Sequence, residues 1–151
     1  MRYYKATYPL NFKGLFAKDR NEWNLFTHLY RDGKYEEAHS KFPKDWEWIG
    51  EDIDNQIICD MPLGRGGILL SEKAYVLFKD MLNIKHVFEL SISNNKYYWH
   101  QDQKIMEESL IKDCDLDVIC VKPGYIKLFS ERFVETCRLQ NITGCEFSIY
   151  E

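Results

Sequence analysis

Nowhere in this chain of 151 residues do about 18 apolar side chains follow one another, the run a helix needs to cross a bilayer. A membrane span is therefore not expected. The opening residues, MRYYKATYPLNFKG, lack the continuous apolar stretch of a secretory signal, so the sequence predicts a cytoplasmic protein. Basic runs are missing too: the net charge is −4 and the pI about 5.6, whereas binding a phosphate backbone calls for a clustered excess of Lys and Arg. No nucleic-acid partner is expected. The five cysteines, an odd number at irregular spacings (Cys59, Cys114, Cys120, Cys137 and Cys145), do not make a secreted disulfide framework and read as buried thiols.

What is present is the composition of one globular domain, with 45% apolar and 29% charged residues. A chain of this length buries roughly 68–70% of its unfolded surface, enough for a single core, so residues 1–151 are taken as one domain. Aromatics are plentiful at 15%, which supplies core filling and also anchors for a binding surface. The mildly acidic balance suits encounter with a basic partner and equally suits plain solubility.

Residues 2–8 are aromatic and β-prone, and Pro9 and Gly14 punctuate the stretch beyond them, which predicts a first strand. Over residues 21–31, Trp23, Leu25, Phe26, Leu29 and Tyr30 recur at helical spacing and Asp32-Gly33 supplies the stop. A short second helix is expected over 35–42, ended by Pro43. Residues 44–67 read as a long loop holding one short strand at 56–59, with Trp46, Trp48 and the acidic group Glu51, Asp52 and Asp54. Such a loop serves either as a partner contact or as a connector.

The clearest local logic lies in the next stretch. Residues 68–70 form a short apolar strand, Ser71 an N-cap, Glu72 a first-turn carboxylate, and Tyr75, Phe78 and Leu82 a buried stripe closed by Asn83. Strands at 86–92 and 96–100, joined through Ser93, Asn94 and Asn95, make a hairpin. The same device returns 59 residues on: a strand at 126–129, Ser130 as cap, Glu131 behind it, and Phe133, Val134, Cys137 and Leu139 as the apolar positions, before a strand over 145–150. Both helices open Ser-Glu-basic and are followed by Asn-Ile, which fits either a repeat or two independent helix starts. The fold class that results is α+β, a mixed and mainly antiparallel sheet with a few packed helices and two strand-helix-strand units.

Several chemistries are not supported. The run Gly64-Arg65-Gly66-Gly67 precedes a strand, whereas a phosphate loop follows a strand and feeds a helix, so it reads as a turn. Asp113, Asp115 and Asp117 alternate like the start of a calcium loop, but Val118 and Gly124 stand where Gly and Glu are needed. Cys114 and Cys120 have no second pair to complete a zinc tetrahedron. No metal or cofactor is expected. His28, His39, His86 and His100 lie far in sequence from the cysteines, and His100 near Asp102, with Glu107 and Glu108 beyond, is either an acid/base pair or a chance grouping. Tyr97, Tyr98 and Trp99 share a strand and must divide between its two faces.

The segment LFSERFVETCRLQNITGCEF, residues 128–147, resembles the C-terminal signature of bacterial immunity proteins of polymorphic toxin systems, the immunity protein families eleven and forty-three: strand, Ser-Glu-basic, apolar helix, then Thr-Gly-x-x-Phe. The Leu70-Ser71-Glu72-Lys73 opening and the hairpin ending in Tyr97-Tyr98 look like the same group. What the resemblance implies is a cytoplasmic non-enzyme that binds and blocks a cognate toxin domain. It names no contact residues and leaves the oligomeric state open. Interface energy concentrates in Trp, Tyr and Arg, which singles out Trp46, Trp48, Arg65, Tyr98 and Trp99 as candidate partner contacts. Two other classes stay open: a small hydrolase using His100 with Asp102 or a cysteine, and a regulatory or scaffold subunit.

Overall fold

The two serine-capped segments build the same piece of architecture twice. In a computed structural model describing residues 2–50, 58–101 and 104–151, strand β4 (Ile68–Ser71) leads into helix α3 (Glu72–Phe78) and on to β5 (Phe88–Ile92). Between β4 and β5 lies β6 (Asn95–His100), antiparallel to both. The second unit runs β9 (Ile126–Ser130), α4 (Glu131–Leu139) and β10 (Glu146–Ile149), and β1 (Tyr3–Thr7) lies antiparallel between its strands. Each unit is thus a split β-α-β, completed in one case by the strand that succeeds it and in the other by the first strand of the chain.

The helix ends repeat as well. Ser71 Oγ accepts from the Ala74 N–H and Ser130 Oγ from the Phe133 N–H, each satisfying one of the donors a helix start leaves orphaned. Beyond each helix an asparagine enters the left-handed region, Asn83 at φ 49° and Asn141 at φ 54°. The next N–H then reaches back five residues, Ile84 to the Lys79 carbonyl and Ile142 to that of Cys137. The two helices meet where Phe78 stacks on Phe133, ring centroids 4.3 Å apart.

The strands divide among a sheet of five, in which β8 (Val118–Lys122) and then β7 (Lys104–Glu107) follow β10, β1 and β9, a sheet of three (β4-β6-β5) and a sheet of two, β2 (Gly14–Ala17) with β3 (Trp46–Ile49), where the sequence suggests a single sheet. β7 and β8 extend the larger sheet as its one parallel pair. One core cluster, with Tyr4, Leu70, Phe78, Phe129 and Phe133, joins the two units. A second, with Phe26, Trp46, Phe88 and Trp99, lies under α1 (Arg20–Arg31) and α2 (Tyr35–Lys41). A third, with Tyr3, Met106, Ile119 and Leu128, fills the far face of the large sheet. α1 places Trp23, Phe26 and Leu29 inward as its spacing predicts, capped by Asp19.

Residues 44–67 depart from the expected loop. Trp46–Ile49 forms β3, paired antiparallel with β2 (Gly14–Ala17), and Trp46 packs edge-on against Trp23. Of the strand expected over 56–59, residues 56 and 57 lie outside the described residues, as do Glu51, Asp52 and Asp54; Ile58 and Cys59 are not in a strand. The glycine run is a turn, as its sequence predicts. Gly67 lies so close on β6 that a Cβ there would sit 2.3 Å from the His100 carbonyl oxygen, and Lys127 Nζ donates to the Gly67 carbonyl at 2.7 Å. The hairpin turns in two residues, Ser93 and Asn94, both at positive φ, the geometry that matches strand twist. Leu139 is not in the buried stripe; it stands 80% exposed at the end of α4. Among the described residues no helix is long and apolar enough to cross a membrane.

Candidate interaction surface

The five aromatic and basic candidates do not share a surface. Trp99 is 1% exposed, surrounded by Trp23, Phe26, Tyr30 and Phe88, and Trp46 is buried in the same cluster. Both are corrected from contact residues to core. The reason is the pleat: Tyr97 and Trp99 point to the side covered by α1, and only Tyr98 points the other way, where it stacks on Tyr75 of α3 at 4.1 Å. Trp48 is half-buried, edge-on to Tyr97. Arg65 is exposed, its guanidinium over the Phe16 ring, and its carbonyl accepts from Trp99 Nε1 at 3.1 Å. His100 is 2% exposed, away from solvent, and Asp102 lies outside the described residues.

The face that does gather exposed apolar groups lies at the β7 end of the large sheet. β7 is the last strand in its order. Met106 turns into the core and Ile105 turns out, 52% exposed. A 3-10 turn, Glu108–Asp113, comes directly after it and presents Leu110; the next loop presents Leu116. Ile105, Leu110 and Leu116 line one groove of about 530 Å³, with Glu107, Asp113 and Lys122 among its charged margin.

Tyrosines from both ends of the chain hold this face in place. Tyr3, buried in β1, donates its hydroxyl to the Leu116 carbonyl at 2.7 Å and to that of Cys114 at 3.3 Å. Burial first, and then the Cys114 side chain with the nearby charges of Asp117 and Asp115, push its phenol well above the usual tyrosine range. Tyr150 donates to Glu108 Oε1 at 2.9 Å, and its own N–H reaches the Tyr3 carbonyl. Asp117, at the base of the same loop, is buried and accepts from Ser130 Oγ and from the Arg132 guanidinium, raising the latter's pKa further. Carbonyls and a carboxylate that a loop usually leaves to water are here bound to the sheet and to α4, so the surface is presented in one shape.

In the sequence this stretch reads as a solvated acidic turn. The signal it carries is Leu110 and Leu116 among Glu108, Asp113 and Asp115, apolar residues that a simple turn does not need. Among the described residues, no group of three or more His, Cys, Asp or Glu is placed to hold a metal ion. No family model, curated protein or solved structure matches the chain.

Proposed function

We propose that this chain is an immunity protein, which binds a cognate toxin domain and blocks it through the face built on β7 and residues 108–117. The observation that carries the proposal is the convergence of Ile105, Leu110 and Leu116 on one groove at an open sheet edge. An apolar centre with a charged rim is how specific interfaces are built, and an edge strand offers unpaired backbone groups to a partner. The resemblance of residues 128–147 to immunity proteins supplies the functional class, and their strand-helix-strand form agrees with that resemblance. Burial weighs against the hydrolase alternative, since an acid/base histidine must reach its substrate and His100 is enclosed.

The test is co-expression with the toxin domain encoded beside this gene. The wild-type chain should restore growth and co-purify with the toxin, and Leu110→Asp should lose both while keeping its fold. Growth that stays arrested with the wild-type chain present would remove the reading; rescue by Leu110→Asp at full strength would move it to another face.

A further inference from the structure

The chain is acidic overall, yet one cleft collects its cations. Beside the apolar groove, and sharing Lys104, Asp115 and Leu116 with it, lies a second concavity of about 760 Å³. Arg31 reaches it from the last turn of α1, Lys85 from the loop before β5, Lys104 from the start of β7 and Arg132 from the first turn of α4. Four separate segments thus converge on one cavity, against two carboxylates, Asp115 and Asp117. Asp117 and Arg132 pair with each other, Ser130 donating to the same carboxylate, so the pair adds no net charge and Arg31, Lys85 and Lys104 face Asp115 in the cleft. Like charges brought together in a concave site repel, and an anion seated among them removes that cost. The chain's overall net charge of −4 disfavours a long polyanion, which confines the expected ligand to the cleft itself.

The cleft also has a flat aromatic wall. Tyr35 is 36% exposed and stacks on His86, ring centroids 3.7 Å apart and planes within 13°, and both line the cavity. A planar ring extends such a stack. We infer that this cleft binds a phosphate-bearing small molecule carrying a planar ring, the chemistry of a nucleoside di- or triphosphate, with phosphates on Arg31 and Lys104 and the ring against Tyr35. The volume lies within the range of cofactor-sized sites.

The inference stands apart from the toxin-binding reading, and its test needs only the chain itself. Calorimetric titration of the full chain with ATP, pyrophosphate and a single-stranded oligonucleotide distinguishes the sources of phosphate. ATP should bind with a Kd of about 1 mM or tighter and lose affinity as salt rises. Arg31→Ala with Lys104→Ala, both exposed positions that leave the core intact, should weaken ATP at least about tenfold. Tyr35→Ala should weaken ATP by about tenfold and leave pyrophosphate unchanged. ATP binding that is absent, no tighter than that of pyrophosphate, or indifferent to the double variant with an unchanged circular dichroism spectrum overturns the inference. So does binding of the oligonucleotide alone.

Discussion

Ser130 is joined to Asp117 through both its backbone and its side chain: its N–H donates to the Asp117 carbonyl at 2.8 Å and its hydroxyl to the carboxylate at 2.6 Å. Ser71 and Asp60 repeat the arrangement atom for atom, at 2.7 Å and 2.7 Å. Each helix cap is therefore oriented by an aspartate from earlier in the chain, Asp60 ahead of β4 and Asp117 immediately ahead of β8. Asp60 also accepts from the N–H and hydroxyl of Thr143, so the cap of the first unit is tied to the loop between α4 and β10 of the second. This shared circuit, with the split β-α-β topology and the asparagine exits, makes the two segments a structural repeat and not two unrelated helix starts.

The two caps differ in burial, and their loss should differ accordingly. Ser130→Ala removes a cap, about 1 kcal/mol, and also leaves the buried Asp117 carboxylate one donor short, about 1–3 kcal/mol more. Ser71→Ala loses the cap, but half-exposed Asp60 turns to water, so about 1 kcal/mol is expected. Urea unfolding of the two variants checks the order; equal losses would show that Asp117 gains nothing from the serine.

Trp99 tests the reassignment from surface to core. With rings of Trp23, Phe26, Tyr30 and Phe88 around it and its Nε1–H bound to Arg65, truncation to Ala leaves a large cavity and an orphaned carbonyl. The expected cost is about 3–5 kcal/mol. Trp48→Ala, at a half-buried rim, should cost less than half as much. Thermal melts of both decide it, and a well-folded Trp99→Ala protein would contradict the packing.

Much of the fold was legible because local chemistry and global placement agree. Ser71, Ser130 and the apolar spacing of α1 each act within a few residues, and the chain does there what those residues ask. Pairings set at a distance were not legible: the alternation Trp-Glu-Trp-Ile over 46–49 is a short strand signal, but nothing local tells that Gly14–Ala17 is the strand that pairs with it. The enclosure of two candidate contacts, Trp46 and Trp99, was not legible for the same reason. Trp and Tyr were favoured by chemical type, but type does not tell which side of β6 is covered by a helix. The cationic cleft was invisible because its residues span positions 31 to 132, and charge in a cavity is a property of three dimensions.

Stability should fall on the alkaline side. Burial pushes the Cys59 and Cys137 thiols up to about 12 from an ordinary 9.0, Asp60 adding to both, and raises Cys145 as well. Their stabilising contribution is complete below pH 9, where neither folded nor unfolded thiols are ionised. As the pH climbs from 9 toward 12 the unfolded chain releases those protons and the folded chain keeps them, so unfolding gains up to about 1.4 kcal/mol per thiol per pH unit. Tyr97, whose hydroxyl donates to the Cys59 carbonyl at 2.7 Å, is raised by burial and acts in the same direction above pH 10. Urea midpoints at pH 7, 9 and 10.5 should hold and then drop; a level profile would mean the thiols reach solvent.

Tyr3→Phe separates the fold from the proposed interaction face. The ring stays, so the core beneath the large sheet keeps its packing with Ile119 and Leu128. What disappears is one hydroxyl that serves two carbonyls of the 114–116 loop, a loss of about 1 kcal/mol spread over contacts outside any strand. The loop bearing Leu116 should then sample other shapes, and a partner that needs one shape must restore the order at its own expense. Global stability should fall only slightly while amide exchange quickens at residues 114–117, and affinity for the proposed toxin partner should drop several-fold. If exchange quickens and affinity holds, the 114–116 loop lies outside the interface, and the contact belongs to Ile105 and Leu110 alone.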